Sequence, residues 1–154
     1  MTEPSTALNA EAVANEFDRQ ISDGYHSSAT LAVFIDGKPV IDMTRGALHA
    51  KPLFRVFSVG KPLAAAILWR QKARGRFDWD TPIAEYWPEF GTRGKSTITV
   101  EQVLAHSAGL SDHSNIPPTD YNDWGRIISH IEDMTPQTEP GSAVSYHAHT
   151  FGWI

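Results

Sequence analysis

The sequence predicts an α/β fold of the α+β kind, a helical lobe packed against an antiparallel sheet, and three observations carry that prediction. An amphipathic stretch opens the chain, two β-branched runs joined by Asp36-Gly37 follow it, and the remainder reads as helices and loops. Strands and helices are thus segregated along the chain rather than alternating, which argues against a parallel sheet.

The elements follow in chain order. Val13, Phe17 and Ile21 repeat every four residues with Ala10 and Ala14 beside them, which predicts a helix capped by Asn9 and ending near Gly24; residues 1–8 read as a flexible tail. Residues 30–35 and 38–44 are expected to pair as a hairpin, because Asp-Gly supplies the left-handed backbone of a two-residue turn. Pro39 suits an edge. Leu53 to Phe57 reads as a short strand or a lead-in, and Val59 to Arg74 as a helix that is mostly apolar from Leu63 to Trp69 and stopped by Gly75. Thr81-Pro82 resembles a cap and first residue of a short helix. Thr99-Val-Glu-Gln102 has the capping-box pattern of a helix over Val103 and Leu104, expected to end at Gly109. Asp120 is expected to cap a helix over Trp124, Ile127, Ile128 and Ile131. Pro136 to Gly141 then turns the chain, and an extended piece leads to Tyr146. Phe151-Gly-Trp-Ile154 begins an apolar run without a cap or charge to close it, so the chain is expected to be truncated within an element. Two strands alone are marginal, and their missing neighbours are expected beyond residue 154. On this reading residues 1–154 are the N-terminal part of a single domain.

Composition narrows the chemistry. The 154 residues are 41% hydrophobic and 20% charged with a formal net charge of −5, which excludes a disordered chain and a basic nucleic-acid face. Zero cysteines remove disulfides, a thiol nucleophile and zinc held on sulfur. No stretch approaches the roughly 20 apolar residues of a membrane span. A basic, apolar leader is not visible either, and a cytoplasmic location without membrane or nucleic-acid partners is expected. No cofactor motif is present.

Ser58-Val-Gly-Lys61 is the one S-x-x-K in the chain. Three-residue spacing at a helix start puts both side chains on one face, about 5–6 Å apart at Cβ. A serine hydroxyl attacks a carbonyl only when a partner takes its proton, and a lysine does so as the neutral amine, which burial favours. Phe54, Phe57 and Leu63 are expected to provide apolar surroundings, and the Ser58 backbone N–H to meet a developing oxyanion. The spacing by itself fits equally a capping serine and a surface lysine. Its place at the head of the most apolar stretch favours chemistry.

With that motif, residues 54–61, Gly75-Arg-Phe-Asp-Trp-Asp80, residues 98–110 and Pro140-Gly-Ser-Ala-Val-Ser-Tyr146 resemble, in order and spacing, landmarks of the serine beta-lactamase-related hydrolases. That group holds class C beta-lactamases, D-peptidases and family VIII carboxylesterases. The resemblance implies a beta-lactamase/transpeptidase-like fold and a small-molecule ester or lactam substrate. It makes Ser58 the acylated nucleophile, Lys61 its proton acceptor, and Tyr146, 88 residues on, the phenol that relays protons to the leaving group. His147 and Ala148 then border the substrate. Ala148 stands where the family pattern has Asn, which favours carboxylic esters over lactams. The family's third motif, of the K-T-G type, has no match in residues 1–154; this length corresponds to about the first two-fifths of such a protein. The alternatives are a lactamase or D-peptidase, a penicillin-binding module that acylates without turnover, and a catalytically inert fragment.

Other constellations compete. Ala105-His-Ser-Ala-Gly109 approximates a nucleophile elbow around Ser107, but an elbow needs a strand before the serine, and a helix is expected there. Ser111-Asp-His113 imitates an S-D-N element. His147-Ala-His149, with His106 and His113, suits a metal only if extended, and no acid cluster accompanies it, so no metal is expected. Trp79, Tyr86, Trp87 and Phe90 read as packing aromatics rather than a stacking platform.

Overall fold

The computed structural model describes residues 9–46 and 53–154, and the predicted tail lies outside them. The chain divides at residue 55 into two compact units.

In the first unit, helix α1 (Ala10–Ser22) is capped by Asn9, whose side chain accepts the Ala12 N–H at 3.0 Å. Strands β1 (Ser28–Ile35) and β2 (Lys38–Gly46) pair antiparallel, both longer than the β-branched runs alone predicted. Asp36 and Gly37 take φ of 49° and 73°, the positive pair that a two-residue hairpin requires. The register slips between Val33 and Phe34, opposite Pro39, a residue with no N–H to give the ladder. Leu31, Val33, Ile41 and Met43 alternate with exposed neighbours, and Arg45 ties β2 to Asp18 of α1 at 2.6 Å.

The second unit, Val56–Ile154, is helical. Its elements are α2 (Gly60–Ala73), α3 (Val100–Leu104) and α4 (Trp124–Asp133), linked by loops and single 3₁₀ turns. Ile83, Phe90, Ile98, Val103, Ala108, Leu110, Ile116, Ile127 and Ile131 form its buried core. The period of the isoleucines in α4 aims Ile127 and Ile131 inward. Thr99 and Gln102 make the capping box reciprocally, at 3.2 and 3.1 Å.

Four local readings shift. Residues 53–56 are a lead-in to a 3₁₀ turn at Phe57–Val59, not a strand. Pro82, extended at ψ 137°, precedes the 3₁₀ turn Ile83–Glu85, so it occupies the capping position itself. Helix α3 ends at Leu104, because His106 turns to φ 60° well before Gly109. Asp123, not Asp120, caps α4: its side chain accepts the Arg126 N–H, while buried Asp120 accepts from Arg126 at 3.0 Å and pairs with His130 at 2.9 Å.

Lys95 is fully buried, a placement its charge did not announce. Its Nζ donates to the carbonyls of Glu132 and Met134 at the end of α4 and lies 5.6 Å over the Phe90 ring. A cation there meets the negative end of the helix and satisfies carbonyls that have no partner within it. Burial pushes its amine below the usual lysine range.

Candidate active site

The second unit contains every residue of the predicted constellation. Phe57, at φ 46°, takes a left-handed conformation that costs energy in a bulky residue, directly before Ser58. The 3₁₀ turn it opens runs into α2 at Gly60, and the spacing then brings Lys61 Nζ to 3.3 Å from Ser58 Oγ.

Tyr146 arrives by a strap. The loop leaving α3 offers the carbonyls of His106, Ser107 and Gly109 to the N–H groups of Ser145, Gly141 and Gln137 at 2.8–2.9 Å. Gly109 is required there: at φ 74° a Cβ would stand 2.5 Å from the Thr138 carbonyl oxygen. Two side chains lock the strap's far end, His147 Nε2 accepting the Leu110 N–H at 3.1 Å and Thr150 Oγ1 donating to the Leu110 carbonyl at 2.7 Å.

So held, Tyr146 places its hydroxyl 2.6 Å from Ser58 Oγ, donating to it. Lys61 Nζ donates to the Ala148 carbonyl at 2.8 Å and lies 4.9 Å over the Tyr146 ring and 5.4 Å over Phe151. The bond to Ser58, the bond to Lys61 and that cation's field hold the Tyr146 phenol below its usual range. Ser58 and Lys61 open onto a cavity of about 950 Å³ whose remaining wall is mainly apolar, with Ile67, Leu68, Val103 and Phe151 among its residues.

Residues 13–154 match the beta-lactamase family. The chain belongs to that family. It is 36% identical over 139 residues to the esterase/beta-lactamase LipL of Mycobacterium tuberculosis, covering 80% of this chain and 30% of LipL. A family VIII carboxylesterase superposes with a TM-score of 0.78 at 30% identity, over 96% of this chain and 42% of that one. A penicillin-binding protein homologue from Caulobacter crescentus gives 0.79 at 32% identity, again over 96% and 42%. The fold is therefore beta-lactamase/transpeptidase-like. The chain spans about a third to two-fifths of the length of these relatives.

Within this beta-lactamase-family chain the structure brings Ser58, Lys61, Tyr146 and Ala148 together, Ala148 through its carbonyl rather than its methyl group. His147 does not border the cavity. Its ring is buried, Nδ1 donating to the Ser145 carbonyl at 2.7 Å while Nε2 holds Leu110, because the strap needs a neutral group that donates and accepts at once. The apolar surroundings of Lys61 are also different from those expected: Phe54, Phe57 and Leu63 are exposed, and Tyr146 and Phe151 face the amine instead.

Ser107 follows a helix and donates to the Gln102 carbonyl at 3.3 Å, away from the elbow geometry. Ser111 accepts from Ser145 at 2.8 Å. The four histidines do not converge: His106 and His147 stack at 5.5 Å, His113 pairs with His149, and the described residues contain no cluster of three metal-ligating side chains. Of the aromatics, Phe90 is buried under Trp87, Trp79 packs on Trp69 at 4.8 Å, and Tyr86 is exposed on the cavity wall. No helix among the described residues is long and apolar enough to cross a membrane.

One residue beside the site was weighed in the sequence only as a metal ligand. His106 accepts the His147 N–H at its Nδ1, 3.1 Å away, and packs on Tyr146 at 4.8 Å and Phe151 at 5.3 Å. Its signal was present, a histidine just past a capped helix, but nothing local says that its ring backs a tyrosine forty residues on.

Proposed function

We propose that the protein is a serine hydrolase acting on carboxylic esters through an acyl-Ser58 intermediate. The observation that carries this reading is the convergence of Tyr146 Oη and Lys61 Nζ on Ser58 Oγ, at 2.6 and 3.3 Å.

Of the two groups on Ser58 Oγ, Tyr146 is the nearer, at 2.6 Å against 3.3 Å for Lys61, and its phenol is held below its usual range, so this reading takes Tyr146 in its ionised form as the proton acceptor. Ser58 gives its proton to that phenolate as Oγ bonds to the ester carbonyl carbon. The C–O bond to the alcohol then breaks, and the alcohol leaves with the proton from Tyr146. Water attacks the acyl-serine by the same route in reverse, its proton passing through Tyr146 to Ser58. Lys61 supplies the positive field that keeps the phenolate accessible, and this reading assigns the Ser58 backbone N–H as a donor to the developing oxyanion. Ester rather than lactam chemistry is favoured because Ala148 brings no side-chain amide, and its carbonyl is taken by Lys61. The name of LipL, esterase/beta-lactamase, keeps lactams as the second reading.

The test is covalent labelling with a fluorophosphonate, read by intact mass. One adduct is expected, lost in Ser58→Ala; an adduct that persists in that variant moves the nucleophile elsewhere. Release of p-nitrophenol from p-nitrophenyl esters, compared with labelling by a fluorescent penicillin, separates the ester from the lactam reading.

A further inference from the structure

The reaction above leaves His113 and His149 unused. His149 Nδ1 lies 2.8 Å from His113 Nε2, with ring centroids 4.3 Å apart. Two imidazoles on one tetrahedral zinc at about 2.0–2.1 Å hold their nitrogens roughly 3.3 Å apart, so this spacing is that of a hydrogen bond.

Proton bookkeeping decides the tautomers. His113 Nδ1 lies 3.4 Å from the Ser111 carbonyl oxygen, which only accepts, so that nitrogen bears the proton. Neutral His113 is then an acceptor at Nε2, and His149 Nδ1 must donate to it. The lone pair of His149 is thereby fixed on Nε2, on the far side of its ring, and among the described residues no protein group donates to it.

The ring is clamped as well. It stacks on Trp153 at 5.5 Å and 23°, with Tyr121 at 5.6 Å. The residue is exposed overall, yet partial burial of its ring, then His113, then Lys61 hold its pKa below the usual histidine range. His149 belongs to the wall of the cavity that Ser58 and Lys61 share, and Lys61 is bonded to the carbonyl of the residue just before it. In a wall otherwise mainly apolar, an oriented acceptor discriminates: it rewards a substrate that carries an O–H or N–H, and a plain alkyl group leaves it dry and unpaired.

We propose that His149, oriented by His113, is a specificity-determining residue that selects esters bearing a hydroxyl or amide N–H near the reactive carbonyl. This rests on the reading of Ser58 as the acylated nucleophile. His113 is a positioning residue, acting through His149.

The experiment compares burst rates of p-nitrophenol release from p-nitrophenyl 3-hydroxybutyrate and p-nitrophenyl butyrate, with ¹⁵N chemical shifts of the imidazoles measured on the same protein. A preference of roughly tenfold for the hydroxylated ester is expected, the size of one hydrogen bond. It falls to about one in His149→Phe, which keeps the stack on Trp153, and in His113→Phe. It returns in His113→Gln, whose amide oxygen again accepts from His149 Nδ1. The shifts are expected to show Nδ1–H on both rings. Equal burst rates with the two esters, a preference that survives His149→Phe, or a proton on His149 Nε2 overturns this inference and leaves the hydrolase reading standing. A Ser58 that takes an acyl group from neither ester overturns both.

Discussion

Helices α4 and α2 belong to the same unit and solve opposite problems. The first presents one apolar stripe, buries Ile127 and Ile131 along it, and has its last carbonyls closed by the buried amine of Lys95. The second spreads its apolar residues over its faces, carries Lys61, Arg70, Gln71 and Lys72 among them, and buries no residue: Leu63, Ile67 and Trp69 stand 65%, 62% and 63% exposed. A helix without an apolar stripe has no single face to bury against the core. What holds the head of α2 is the pair of bonds from Lys61 and Tyr146, the contacts that define the candidate site. Stability and chemistry are therefore separated within one unit, and substitutions in the two helices are expected to fail in different ways.

The largest effect is expected at the chemical end. Tyr146→Phe removes the group nearest Ser58 Oγ, and the rate of fluorophosphonate labelling should fall by about 10² or more, with the urea midpoint nearly unmoved; an unchanged rate would leave Lys61 as the acceptor. Truncation of the core comes next. Ile131→Ala should cost about 2–5 kcal/mol in urea unfolding, whereas Ile67→Ala on α2 should stay within about 0.5 kcal/mol. Similar losses at the two positions would show that α2 is as well packed as α4.

Lys95→Met leaves two carbonyls without their donor, and a loss of about 1–3 kcal/mol is expected, with labelling of Ser58 retained. Acid should loosen the strap. Burial, outweighing the bond to Ser145, depresses the His147 pKa, and burial followed by Lys61 depresses that of His106. Both are thus neutral in the fold and charge on unfolding, so stability is full above the unfolded value near 6.5 and declines as pH falls from there toward the folded values. Urea midpoints between pH 7.5 and 5 should show that decline, and His147→Gln should flatten it. Smallest is Thr99→Ala, about 1 kcal/mol for a lost cap, measured in the same way.

Local rules carried the reading of α1, the hairpin and the capping box, because each is written within a few residues: Asn9 before a four-residue period, Asp36-Gly37 between β-branched runs, Thr99 three before Gln102. They failed where a partner came from elsewhere. Asp120 looks like a cap to its own neighbourhood, yet it was taken by His130 and Arg126, leaving Asp123 to the helix. His147 looks like a cleft residue from its place beside Tyr146, but the strap turned it inward.

The sequence by itself determined the periodicities, the turns and the family, and it placed Ser58 and Lys61 on one face, since a helical turn brings i and i+3 together whatever surrounds them. Only the tertiary structure decided that Tyr146 reaches Ser58, that Lys95 is buried while Lys61 borders a cavity, and that His113 turns the lone pair of His149 away from itself. Those depend on contacts between residues 36 to 88 positions apart, and such contacts follow from how the core closes, for which no local pattern of residues carries a signal.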